Sequence, residues 1–144
     1  MLWQFGELGY DYSIDFNGRL GEKPVRWDYY FDWRRNYNYH FISSLIDLRV
    51  NNDVFETTDF ELNVASSMKS IKLYGDEMDV VVVGNFGLED DVIAPGFSQT
   101  GPWYEYFTGD TLLVEDLNME LSLRHGEYRL YSSTRLSPPD IGTG

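Results

Sequence analysis

The spacing of hydrophobic and polar positions changes character near residue 55. Upstream, "MLWQF" is a nearly continuous apolar run, which predicts a short strand buried on both faces. "ELGYDYSIDFNGRLGEKPVRWDYY" follows, with Gly18, Gly21 and Pro24 punctuating an irregular loop. Loops of that length in compact domains are usually functional or disordered. In "FDWRRNYNYHFISSLIDLRVNNDVF", Tyr37, Phe41, Leu45 and Leu48 recur at helical spacing, and Ile42 and Ile46 widen the stripe. The pattern predicts a long amphipathic helix with two apolar flanks, Asp32 as its N-cap and Asn51-Asn52 as its stop.

Downstream the period falls to two. "FELNV" alternates Phe60, Leu62 and Val64 with Glu61 and Asn63. "SIKLYGDEMDVVVVGNFG" reads as two strands joined at Gly75-Asp76-Glu77, and "WYEYF" with "TLLVED" as a second hairpin around Thr108-Gly109-Asp110. "MELSLRHGEYRLYSS" reads as a third hairpin turning at His125-Gly126. The predicted fold class is mainly β, an antiparallel, Greek-key-like β-sandwich of about 7–8 strands preceded by one long amphipathic helix. The tail "LSPPDIGTG" is expected to be loose.

Ring density peaks in "GPWYEYFTGD". On a strand, Trp103, Glu105 and Phe107 share one face and Tyr104 and Tyr106 the other. The carboxylate of Glu105 points its face outward, and the two tyrosines inward. Trp103 is then either a candidate sugar-stacking ring at the edge or a covered ring, and the stretch reads mainly as core.

With 144 residues the chain is one ordinary domain, or one small domain plus a piece of another. Its net charge of −13 repels phosphate backbones and anionic lipid, which sets nucleic acid aside. The absence of cysteine removes disulfides, thiol nucleophiles and cysteine-based zinc sites. No apolar run is long enough for a membrane helix, so no membrane insertion is expected. The N-terminus lacks the basic start and apolar centre of a signal peptide, and reads as an excised piece of something larger.

Candidate chemistry is sparse. Asp11, Asp15 and Asn17 ahead of Gly18 hint at a calcium loop, but their spacing does not follow the alternate-ligand pattern, and a solvated acidic loop is the reading. Glu89-Asp90-Asp91 reads as an exposed turn, since nothing supplies the burial a carboxylate dyad needs. His40 and His125 read as structural, and "GEKP" lacks the pattern of a phosphate loop. No metal and no cofactor are expected.

The order strand, loop, helix, sandwich resembles the end of the α-amylase family of glycoside hydrolases. "MLWQFGELGYDYSI" resembles the end of the eighth barrel strand, where a Gly-x-Glu element, here Gly6 and Glu7, closes the (β/α)₈ barrel beside the active-site mouth. "GEKPVRWDYY" is similar to the segment before the last barrel helix, and "YHFISSLIDLRVNNDVF" to that helix and its run-out. "VVVVGNFG", "GPWYEYFTGD" and "HGEYRLYSS" are similar to the antiparallel domain that ends these enzymes.

The resemblance implies residues 1–55 as the tail of the barrel and 56–144 as the C-terminal sandwich domain. It makes Gly6 and Glu7 rim residues of a parent active site and leaves the chain no catalytic residue, because the family's three carboxylates project from earlier barrel strands. The implied partners are the rest of the barrel and an α-glucan substrate, in an exported, glucan-degrading role. Self-association through an uncovered helix flank is also expected. Two other readings stand beside it: a stand-alone carbohydrate-binding sandwich and a protein-interaction sandwich.

Overall fold

The computed structural model describes residues 2–139 and 141. Met1 of the apolar N-terminal run, and Asp140 and 142–144 of the tail expected to be loose, lie outside the described residues. The chain forms two compact units, one running up to Asp47 and one spanning Leu48–Pro139.

In the second unit, eight antiparallel strands form two sheets: β1 (Phe60–Asn63), β2 (Met68–Leu73), β3 (Val80–Asn85), β4 (Asp91–Ile93), β5 (Gly101–Glu105), β6 (Thr111–Val114), β7 (Leu121–Leu123) and β8 (Tyr128–Ser132). Six of them make an open sheet in the order β1-β2-β3-β8-β5-β6, and β4 pairs with β7 in a second. The fold is the expected sandwich. Insertion of the last strand between β3 and β5 gives it a Greek-key-like crossing.

The run of four valines explains why β3 is central. Val81 and Val83 point to one face, where they pack with Met68, Trp103, Val114 and Tyr131 against Ile93, Leu121 and Leu123 of the small sheet. Val80 points to the other, into a second cluster with Leu48, Val54, Tyr106 and Leu130. A strand apolar on both faces belongs in the middle of a layered structure.

Two turns depend on glycine. A Cβ on Gly75 would lie 2.6 Å from the Met78 carbonyl oxygen and 2.9 Å from Val54, so the β2–β3 turn closes only on glycine. Gly109 takes φ 75° in the β5–β6 turn, the left-handed region that side chains disfavour.

The third hairpin is not one. β7 pairs with β4 in register Ile93↔Leu121, whereas β8 pairs with β3 and β5. The turn at His125-Gly126 therefore carries the chain from one sheet to the other. Alternation shows that two segments are strands but does not say which neighbours they choose. β4, only three residues long, gave no periodic signal. All four residues of β1 are exposed, so the alternation in its sequence marks no buried face on this edge strand.

The faces of β5 are the reverse of the charge-based reading. Trp103 is 0% exposed and Glu105 6%, while Tyr104 is half-buried. Glu105 tolerates burial because its Oε2 accepts the Thr108 amide at 2.7 Å and its Oε1 the Leu130 amide at 3.2 Å. Tyr106 lies past the strand end, where its own amide bonds the Leu130 carbonyl at 2.8 Å and its ring turns into the second cluster.

In the first unit, the N-terminal run is not a strand. It enters a 3₁₀ turn at Gly6–Leu8, and Trp3 is 73% exposed. A strand needs a ladder partner, and among the described residues none pairs with this segment. A second 3₁₀ turn, Trp27–Phe31, leads into the helix α1 at Trp33–Asn51. Asp32 caps it as expected: Oδ1 accepts the Arg34 amide at 2.9 Å and the Arg35 amide at 3.4 Å. The helix ends at Asn51, and the Asn52 side chain donates to the Leu48 carbonyl at 2.9 Å. Leu45, Ile46 and Val50 remain exposed, so the apolar stripe is only partly covered.

Candidate functional site

The chemistry-bearing side chains of the first unit gather around the Gly6–Leu8 turn and the start of α1. Phe5 enters the turn at φ 57° and Gly9 leaves it at φ 65°. Phe5 and Leu8 are buried with Tyr29, and Tyr10, Tyr12 and Tyr39 pack beside them. This small aromatic core presents Gly6 and Glu7, both half-buried, on its surface.

Two residues of the helix hold that turn by its backbone. Asn38 donates to the Glu7 carbonyl at 2.8 Å, and Arg35 donates to the Leu8 carbonyl at 3.0 Å and to that of Gly9. Glu7 is thus fixed through its main chain.

Arg35 also pairs with Asp11 at 2.9 Å and lies 3.8 Å from the centre of the Tyr29 ring. The Tyr29 hydroxyl donates to the other Asp11 oxygen. Arg26 sits 4.3 Å from the Tyr29 centroid and donates to the Tyr12 hydroxyl at 2.9 Å. Asp28 holds Arg26 in a fork, at 2.8 Å to Nε and 2.6 Å to Nη2.

These contacts set the protonation of the group. The Tyr29 hydroxyl, and then Arg35, hold the Asp11 carboxyl below the ordinary carboxylate range. The Arg26 hydrogen bonds lower Asp28 in the same way, and Asp28 raises Arg26 in return. Tyr29 is raised by its bond to Asp11 and by burial. All four groups hold their ordinary charge states at neutral pH.

The loop between Tyr12 and Arg26 is more ordered than its composition suggests. The Lys23 ammonium donates to the carbonyls of Phe16, Gly18 and Gly21 at 2.6, 2.8 and 3.2 Å, and Tyr10 donates to that of Pro24 at 2.7 Å. An open recess of about 600 Å³ lies against this loop, lined by Asp11, Tyr12, Asp15, Phe16, Arg26 and Arg35 among others. Among the described residues, no three histidines or acidic groups are placed to hold a metal ion, and no helix is long and apolar enough to cross a membrane.

The fold is shared with enzymes of the α-amylase family. AmyP, solved with maltose, superposes at TM-score 0.58 over 76% of this chain, with 14% identity. The cyclomaltodextrin glucanotransferase CldA matches at 0.57 over 69%, with 19% identity. An α-amylase from Anoxybacillus matches at 0.53 over 76%, also with 19% identity. The chain spans only 22%, 22% and 23% of those three chains, respectively. No family model and no curated protein matches the sequence. At such identities the likeness concerns the fold, and no residue role transfers with it.

Against that fold, the sequence-predicted residues separate. Gly6 and Glu7 lie together on the first unit's surface. Trp103 lies in the sandwich core, its Nε1 donating to the Gln99 carbonyl at 3.1 Å, and it presents no face to a sugar. Asp11 belongs to the Arg35–Tyr29 cluster rather than to a calcium loop. His40 stacks edge-on against Tyr39. His125 has a carboxylate partner that spacing did not show: its Nδ1 lies 3.2 Å from Asp90, which also accepts the His125 amide at 3.0 Å. Arg26, Tyr29 and Arg35 carry only a weak sequence signal. Their signal was the placing of two of only 11 basic residues beside a run of tyrosines.

Proposed function

We propose that this chain is the C-terminal portion of an α-amylase-type glycoside hydrolase acting on α-linked glucans such as starch, glycogen and maltodextrins. In the parent, residues 1–55 complete the catalytic barrel, the N-terminal run gaining there the partners that make it the last strand, followed by loop and helix, and 56–144 form the C-terminal sandwich. The piece itself is non-catalytic and stabilises the barrel. Gly6 and Glu7 lie on the rim of the parent's active site.

The observation that carries the reading is the shared fold with three α-amylase-family enzymes over 69–76% of the chain. Supporting it, Leu2 and Trp3 of the N-terminal run and Leu45, Ile46 and Val50 of the helix are exposed here, as expected of surfaces made to be covered by further barrel elements. The same uncovered stripe favours self-association of the chain when isolated.

Hydrolysis in this class needs an acid and a nucleophile about 5 Å apart across the glycosidic bond. The acids around Glu7 are engaged otherwise: Asp11 by Arg35 and Tyr29, Asp28 by Arg26. The purified chain is therefore expected to release no reducing sugar from soluble starch. Turnover that survives purification and vanishes in Glu7→Gln would overturn the non-catalytic assignment.

A further inference from the structure

The recess beside the Tyr12–Asp15 loop has the chemistry of a sugar site. Phe16 meets Tyr12 edge-to-face, with centroids 4.9 Å apart, and remains 45% exposed. An exposed ring beside a fixed ring offers an apolar platform. Around it stand two carboxylates, Asp11 and Asp15, and two guanidiniums, Arg26 and Arg35. Each guanidinium is already paired, Arg35 with Asp11 and Arg26 with Asp28, so no cation is left over to select an anionic ligand.

The polar groups are also held in place. Asp11 is fixed by Arg35 and Tyr29, and Arg26 by Asp28 and Tyr12. Arg26 uses its Nε, Nη1 and Nη2 once each, leaving two of its five N–H donors. Asp11 likewise keeps acceptor capacity beyond its two bonds. The Asp15 amide is tied to the Ser13 hydroxyl at 3.1 Å, and its carboxylate stands exposed at the mouth. Donors and acceptors already immobilised lose little further freedom when a ligand arrives.

A neutral ligand with an apolar face and a rim of hydroxyls matches this set, and a pyranose ring has both. We propose that the recess formed by Asp11, Tyr12, Asp15, Phe16 and Arg26 binds a glucose unit of an α-glucan. Phe16 stacks on the ring, and Asp15 and Arg26 bond its hydroxyls. The choice of α-glucan rests on the function proposed above; the polyol chemistry does not. In place of the buried Trp103, this loop is where the chain touches sugar.

The test is an NMR titration of the 144-residue chain with maltotriose. Shifts centred on Tyr12, Ser13, Asp15 and Phe16 are expected, with affinity about tenfold weaker in Phe16→Ala and in Asp15→Asn, a loss of about 1.4 kcal/mol each. Phe60→Ala, on the exposed edge strand, should bind as the wild type does. No shifts in the loop, or unchanged affinity in both loop variants, would overturn the site. Failure of the hydrolase reading looks different: sugar binding would persist while the native gene product hydrolyses no starch.

Discussion

Replacing Glu105 by alanine would leave the amides of Thr108 and Leu130 without their acceptor. The buried Leu130 amide would be stranded at a cost of about 1–3 kcal/mol, whereas the exposed Thr108 amide can turn to water, so Glu105→Ala should lose about 2 kcal/mol in urea unfolding. A loss under about 0.5 kcal/mol, the ordinary surface value, would contradict the burial. The residue also shows where charge misleads. Carboxylates avoid the interior on average, but this one replaces a missing strand partner where β5 turns away from β8, and backbone donors satisfy it. No pattern in "WYEYF" announces that. Asp11 gives a second, pH-dependent test. Its folded carboxyl titrates below its unfolded value, so its contribution is present above about pH 4 and lost as pH falls further. The stability gap between the wild type and Asp11→Asn should be constant near neutrality and close in acid. A gap that widens in acid would reverse the sign.

At the scale of elements, local signals marked most segments, and long-range pairing decided where each goes. The valine run, the Gly75 and Thr108–Asp110 turns and the Asp32 cap were all legible, because each depends on residues within a few positions of one another. The partners of β7 were not legible, because Ile93 and Leu121 are far apart in sequence and nothing local links them. The N-terminal run failed for another reason: its apolar pattern describes a buried strand, but the described residues supply it no ladder. That difference should appear in hydrogen exchange. The amides of Val80–Val83, in a strand paired on both sides, should exchange far more slowly than those of Trp3–Gly9, in a partly exposed 3₁₀ turn. Equal protection would mean that the N-terminal segment is as firmly built as the sheet.

At the scale of the molecule, a charge of −13 steers the chain from anionic polymers and leaves neutral ones open. The sandwich class was legible from period-two segments and turns, whereas the Arg26–Tyr29–Arg35 cluster joins three segments and was visible only once folded. The central claim is that this chain is the rear of a longer hydrolase. It matches 22–23% of the three solved chains while offering 69–76% of its own length to the match. The most direct measurement is the length of the native gene product that carries this sequence, by mass spectrometry of the intact protein. A product several times longer than 144 residues, with the additional chain preceding "MLWQFGELG", is the predicted result. A mature native product of 144 residues would contradict the account at its centre.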